Sequence, residues 1–127
     1  MSATLTRQLE DRVRRELPSL DEAQTRELAS VIGQLATAFQ PERVYAFGSR
    51  ARGDAGPDSD VDLMVVVTES DEPSYRRAQA ARVLLVRRFL IGLDILVWTH
   101  AEFEQRTPNP ATLPGTILRE GRLLYAA

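Results

Sequence analysis

The sequence has no cysteine, no lysine and a single histidine. The lack of cysteine and the scarcity of histidine each exclude classes of chemistry. Without cysteine there are no disulfides, no thiolate zinc sites and no thiol nucleophile. Because His100 stands alone, neither a multi-histidine metal site nor a Ser-His-Asp triad is expected. Metal chemistry would therefore rest on carboxylates, which favour hard cations such as Mg²⁺ or Mn²⁺.

Long apolar runs and an excess of positive charge are also missing. No apolar run approaches the length that spans a bilayer, and the N-terminal residues lack the apolar core of a signal peptide. The 16 basic residues, all arginine, are outnumbered by 18 acidic residues, which gives a net charge of −2. This balance predicts no direct DNA binding. We therefore expect a cytoplasmic protein that does not enter a membrane.

The first third of the sequence is helical in its pattern. Apolar residues recur every four positions over 5–17, and a second helical pattern follows, with a capping box formed by Ser19 and Glu22. The length of 127 residues fits one domain. We expect an N-terminal helical segment, 1–40, and a catalytic core, 41–127, within that single domain.

The rest of the sequence alternates between strand and helix patterns. Strands are predicted at 43–47, 61–67, 93–99 and 122–125, and helices at 72–90, 100–106 and 116–120. This order predicts an α+β fold in which a mixed sheet of about four strands has helices packed mainly on one face.

The segment AFGSRARGDAGPDSDVDLMVVV, residues 46–67, brings acidic residues into the entrance of an apolar strand. Alternation along the strand places Asp60 and Asp62 on one face. Asp94 lies near the start of another predicted strand, and neighbouring strands are ~4.8 Å apart, so the three carboxylates can form a cluster. Carboxylates this close raise one another's pKa unless a cation compensates. The pattern predicts a site for one or two Mg²⁺ ions, with Mn²⁺ as a substitute.

The Gly48-Ser49 pair predicts a phosphate-binding turn. Glycine lets a ligand approach the backbone closely, and backbone N–H groups at a turn that enters a helix bind anions. The Ser49 hydroxyl adds a hydrogen bond, and Arg50 and Arg52 add positive charge. Beside a metal held by carboxylates, such a turn is what binding of a nucleoside triphosphate requires.

The spacing of these residues resembles a known family. Gly48-Ser49, ten intervening residues, Asp60-Val61-Asp62 and a lone Asp94 on a later strand resemble the minimal nucleotidyltransferases of the DNA polymerase beta-like superfamily. The ending ILREGRLLY, residues 117–125, is also similar to that family. The similarity extends from about residue 40 to the end of the sequence.

The resemblance implies a role for each matching residue. Asp60 and Asp62 would hold the metals, and Asp94 would complete the second metal site and help to deprotonate an acceptor hydroxyl. Gly48 and Ser49 would grip the β/γ phosphates of ATP while that hydroxyl attacks the α-phosphorus and releases pyrophosphate. The other residues assigned to nucleotide binding are Arg50, Arg52 and Ser59.

The resemblance also suggests a partner. A catalytic domain this small has little room for a second, substrate-gripping domain, and many minimal nucleotidyltransferases act as antitoxins on a HEPN-type protein. The first hypothesis is transfer of AMP to a hydroxyl of such a toxin within a hetero-oligomer. The alternatives are transfer to an aminoglycoside-like small molecule by a homodimer, and an antitoxin that acts only by binding.

Simpler interpretations of the same residues remain. Residues 54–62 suit an acidic surface loop. Asp58, Asp60, Asp62 and Glu69 also fit the ligand positions of a calcium loop, but Leu63 stands where that loop needs glycine. Asp94 also suits an exposed strand end, His100 a surface or capping position, and Trp98 a core or rim position. One further set, Arg76, Arg77, Arg87 and Arg88, predicts either a solvated helix face or a docking stripe for an acidic partner or RNA.

Overall fold

The computed structural model describes residues 2–85 and 91–127. The elements in chain order are α1 (Ala3–Glu16), α2 (Glu22–Phe39), β1 (Arg43–Phe47), α3 (Ser49–Arg52), β2 (Val61–Val67), α4 (Ser74–Leu84), β3 (Leu93–Thr99), α5 (His100–Glu104), α6 (Leu113–Glu120) and β4 (Arg122–Ala126). Helix α3, which directly follows Gly48, is not among the helices predicted at 72–90, 100–106 and 116–120. No helix in this described part is both long and apolar enough to cross a membrane.

The four strands form one mixed sheet in the order β3-β2-β1-β4. Strand β1 is antiparallel to β2 and β4, whereas β2 and β3 are parallel. Parallel strands begin at the same edge of a sheet. The predicted α+β fold, with its mixed sheet and N-terminal helices, is confirmed, and its topology brings the starts of β2 and β3 together.

The larger hydrophobic core lies between one face of the sheet and helices α1, α2 and α4. Val13 of α1 and Ile32 of α2 are fully buried there. The odd-numbered residues of β2 point into this core, as the alternation predicted; they are Val61, Leu63, Val65 and Val67. The N-terminal helices therefore share one core with the strands that carry the acidic residues.

A smaller cluster covers the opposite face of the sheet. Met64 and Val66 of β2 pack there with Phe103 of α5 and Ile117 of α6. Tyr45 of β1 stacks on Phe103, with the ring centroids 5.7 Å apart. This is the face that also carries the acidic residues, so α5 and α6 cover its apolar part and leave a polar end.

Two helix starts differ from the sequence prediction. Asp21, and not Ser19, caps α2: its side chain accepts a hydrogen bond from the Gln24 N–H, and its own N–H donates to the Gln24 side chain. Aspartate and glutamine thus form the reciprocal capping box. Helix α6 starts at Leu113 rather than 116, because the Thr112 side chain accepts a hydrogen bond at its first turn.

Arg77 of α4 is buried, which corrects its assignment to a surface stripe. Its side chain is only 6% exposed. The guanidinium forms a bidentate ion pair with the Glu102 carboxylate, and its Nη1 also donates a hydrogen bond to the Val97 carbonyl at 2.7 Å. Full pairing is what makes a buried guanidinium tolerable. The end of the predicted helix, including the arginines at 87 and 88, lies outside the described residues, and Arg76 is exposed.

Candidate active site

Asp62 and Asp94 lie next to each other across the parallel strands β2 and β3, whose register pairs them directly. Paired positions on parallel neighbours point to the same face, and the strands are ~4.8 Å apart. On the other side of β2, Asp62 is paired with Phe47, the last residue of β1. The structure thus places Asp62 between the acidic end of β3 and the turn that follows β1.

Asp60 lies immediately before β2 and is exposed. The next residue, Val61, donates its N–H to the carbonyl of Gly92 at 2.9 Å, which ties the entrances of β2 and β3 together. The carboxylate of Asp60 rests against the Cα of Gly92. The three predicted acidic residues therefore gather at one edge of the sheet.

The electrostatics of Asp62 reflect this crowding. Burial raises the pKa of Asp62, the charges of Asp94 and Asp60 raise it further, and nearby Arg52 partly offsets them. A divalent cation would remove the repulsion that the carboxylates impose on one another.

The donor set fits Mg²⁺ in its chemistry. Among residues 2–85 and 91–127, no three acidic or histidine side chains form a finished metal-binding group. Mg²⁺ seldom needs one, because it is usually bound by one or two carboxylates together with water and substrate phosphates. Asp60, Asp62 and Asp94 are the residues that would hold it.

The Gly48-Ser49 turn lies directly beside Asp62. Gly48 has φ +76°, in the left-handed region, and a Cβ at this position would overlap the Oδ2 atom of Asp62. Both facts require glycine here. The turn then leads into α3, with Ser49 as its first residue.

Arg50 has a different environment from the one predicted. Its side chain is buried, and its guanidinium donates from Nε to the Ser59 carbonyl and from Nη2 to the Pro57 carbonyl, both at 3.1 Å. The Ser59 hydroxyl in turn accepts the Gly56 N–H at 3.0 Å. Both residues hold the 53–59 loop together in the structure, and their contact with a nucleotide stays a prediction.

Arg52 is the arginine placed toward the carboxylates. It is exposed, and its Nε lies 3.1 Å from Oδ2 of Asp54 in an ion pair. Its positive charge lowers the pKa of Asp62, which places it close to that carboxylate. A phosphate group entering beside Asp62 would compete with Asp54 for this guanidinium.

Trp98 and His100 lie at the opposite end of β3 from the carboxylates. His100 begins α5 at the opposite end of the strand from Asp94, with its Nδ1 2.7 Å from Oε1 of Glu42. Trp98 is half-buried, and Arg106 lies over its ring at 5.5 Å from the centroid. Neither residue joins the acidic cluster.

Two residues near the site were not singled out from the sequence. Gly92 contacts Asp60, and its only sequence signal is a glycine just before the strand that carries Asp94. Arg122 of β4 donates from Nε to the carbonyl of Ala51 in α3 at 3.4 Å. It links the last strand to the helix that follows the Gly48-Ser49 turn, and nothing near Arg122 in sequence predicts this.

Comparison with known proteins agrees with the fold and gives the family. The sequence model of the nucleotidyltransferase domain family matches residues 28–124, a range that includes every candidate residue named above. The chain therefore belongs to the nucleotidyltransferase domain family.

One solved structure shows the same fold. A crystal structure of a candidate nucleotidyltransferase from Sulfolobus solfataricus aligns with a TM-score of 0.57 and 22% identity, covering 94% of this chain and 87% of that one. No curated protein matches the chain.

Proposed function

We propose that this chain uses Mg²⁺ and ATP to transfer AMP to a hydroxyl group of a partner protein. Membership of the family gives the reaction class, nucleotidyl transfer. The observation that carries the proposal is the pairing of Asp62 with Asp94, with Asp60 at the same edge and the Gly48-Ser49 turn beside Asp62. The turn proposed to bind phosphate and the Asp94 carboxylate then lie on the two sides of β2, with Asp62 between them.

The order of the strands suits an in-line displacement. The Gly48-Ser49 turn lies on the β1 side of Asp62, and Asp94 lies on the β3 side. A triphosphate tail bound at the turn would leave in one direction, while an acceptor hydroxyl would enter from the other. Entering and leaving oxygens are roughly in line in phosphoryl transfer.

Each residue at the site has a defined task in this proposal. The Ser49 hydroxyl and the backbone at Gly48 bind the β/γ phosphates, and Arg52 exchanges Asp54 for a phosphate oxygen. The Asp94 carboxylate accepts the acceptor's proton as its oxygen bonds to the α-phosphorus and the bond to pyrophosphate breaks. Asp60, Asp62 and Asp94 would hold Mg²⁺, which would supply charge neutralisation for the triphosphate.

A protein acceptor is supported by the surface of α4. Val83 of this helix is 63% exposed, and together with Ala80 and the exposed Leu84 it lines an open groove. Exposed apolar groups in one region favour a binding partner. We propose a HEPN-type toxin as that partner, with this chain as its antitoxin.

The test is nucleotide transfer with purified proteins. The chain would be mixed with Mg²⁺ and the protein encoded by the neighbouring gene, once with ATP labelled at the α-phosphate and once with ATP labelled at the γ-phosphate. We expect the partner to acquire only the α label, and Asp60→Ala and Asp62→Ala to abolish the transfer. Asp58→Asn is the matched control, because it removes an exposed loop carboxylate close in sequence to the cluster.

Three other outcomes would overturn parts of the proposal. Labelling of an aminoglycoside instead of the partner would favour the small-molecule alternative. Protection of cells by Asp60→Ala would show that the chain acts by binding alone. Absence of α-label transfer to any acceptor would remove the proposed activity.

A further inference from the structure

Gly92 and Asp60 are brought together by the parallel pairing of β2 and β3. Each lies directly before its strand, and the Val61 N–H donates to the Gly92 carbonyl at 2.9 Å. This hydrogen bond fixes the backbone at residue 92 against the entrance of β2. The Asp60 side chain consequently extends over residue 92.

The contact leaves no space for a side chain at residue 92. A Cβ there would overlap Oδ1 of Asp60 and lie 2.8 Å from its Cγ. The φ of Gly92 lies outside the left-handed region, so an alanine meets no backbone strain there from φ. The obstruction comes from the free end of a side chain, which can rotate away without disturbing the fold.

The other glycines show how specific this arrangement is. A Cβ at Gly115 or Gly121 would collide with backbone atoms, so substitution there would disturb the fold. A Cβ at Gly48 would meet Asp62, but its positive φ adds strain. A Cβ at Gly56 would have no neighbour closer than 3.9 Å. Substituting alanine for Gly92 should therefore displace the Asp60 carboxylate with little other change. The same substitution at Gly56, where the added Cβ meets nothing closely, is the control.

We infer that Gly92 is a positioning residue: its lack of a side chain makes room for the Asp60 carboxylate on the sheet face that carries Asp62 and Asp94. This inference rests on the proposed function, in which Asp60 binds the metal. With a methyl group at residue 92, the Asp60 carboxylate must turn outward and separate from its two neighbours. The fold keeps its hydrogen bond from Val61, because that bond uses only the backbone of residue 92.

The experiment compares Gly92→Ala with Gly56→Ala in the full chain. We expect equal unfolding midpoints for the two variants and a crystal structure of Gly92→Ala in which only the Asp60 side chain has rotated. Mn²⁺ affinity, measured by electron paramagnetic resonance with a non-hydrolysable ATP analogue, should fall by ~10–100-fold in Gly92→Ala alone. The transfer rate should fall in parallel and recover in part at high Mn²⁺ concentration.

The outcomes separate this inference from the proposed function. If Asp60→Ala is inactive while Gly92→Ala matches Gly56→Ala in Mn²⁺ affinity and rate, the inference is wrong and the proposed function stands. If no transfer occurs with any acceptor, the proposed function fails, and the Asp60 rotamer and Mn²⁺ affinity still decide the inference. An unmoved Asp60 in crystals of Gly92→Ala, or a fold disrupted by that substitution, would also overturn it.

Discussion

Asp62 and Asp94 occupy paired positions on parallel strands, with both carboxylates on one face of the sheet. Asp62 is the more buried of the two, and its pKa is raised by burial and then by its acidic neighbours. This site therefore opposes folding in the absence of a cation. Such opposition between stability and activity is common at functional sites.

Asp62→Asn should stabilise the metal-free protein at neutral pH and abolish transfer. Because the pKa of Asp62 is raised in the folded state, its unfavourable contribution is absent below the unfolded pKa and grows as pH rises through the folded value. The variant should lose this pH dependence, which urea unfolding in a chelator would show. Transfer should fall by roughly 100-fold or more. A variant less stable than wild type at neutral pH, with Asp58→Asn unchanged, would contradict this prediction.

Glu102→Gln should destabilise the fold at neutral pH but not in strong acid. The hydrogen bonds from Arg77 lower the pKa of Glu102 to about 2. The stabilisation is therefore complete above the ordinary carboxyl pKa and is lost as pH falls toward about 2. The Glu102 side chain is 38% exposed, so water screens the pair and we expect a loss of about 1 kcal/mol.

Denaturant unfolding across this pH range would test the Glu102 prediction. Glu104→Gln is the control, since that carboxylate lies on the same helix and pairs with Arg43 at a more exposed position. Equal pH profiles for the two variants would show that the buried pair with Arg77 adds nothing specific.

Arg50→Gln and Arg52→Gln should have different effects on the 53–59 loop. Arg50 holds the carbonyls of Pro57 and Ser59, so its replacement should speed hydrogen–deuterium exchange over 53–59 and lower the transfer rate. The Arg52 side chain is exposed and, within residues 2–85 and 91–127, pairs with the likewise exposed Asp54, so its replacement should leave exchange unchanged. It should raise the KM for ATP roughly tenfold. Faster exchange in both variants would show that the two arginines share one structural role.

Leu17→Ala should lower the free energy of unfolding of the whole chain by about 2–5 kcal/mol. Leu17 is 1% exposed and belongs to the core that also contains Val65 of β2. Trp98 is the only tryptophan, so its fluorescence reports on β3 during denaturant unfolding. We expect one transition, shifted as a unit, and no shift for the exposed control Arg7→Ala. A Trp98 transition unaffected by Leu17→Ala would show that the N-terminal helices fold separately.

Local patterns explain why part of the site could be predicted. Alternation along a strand depends only on the backbone, so the shared face of Asp60 and Asp62 follows from their spacing. The helix starts were harder, because several polar residues compete as caps: Asp21 took the place expected for Ser19. The residue types near a helix start show which side chains can cap it, but not which of them does.

The residues that could not be predicted depend on distant partners. Arg77 is buried because Val97 of β3 and Glu102 of α5, both 20 or more residues away in sequence, pair with it. Gly92 matters only because β2 and β3 are parallel neighbours, which sets the Asp60 carboxylate over it. A glycine before a strand can serve many purposes, and its contact with Asp60 becomes visible only once the pairing of β2 with β3 is known.

Strand β3 forms the outer border of the sheet, and Asp94 is exposed there. In the proposed reaction the incoming molecule approaches from this border, whereas the donor nucleotide is handled by the interior strands. Because no further strand lies beyond β3 in the part of the chain that the structure describes, the sheet itself does not restrict how large the acceptor molecule can be. If the proposed function holds, changes in surface residues along this border would redirect the chain to new acceptors during evolution while the residues proposed to bind ATP remain as they are.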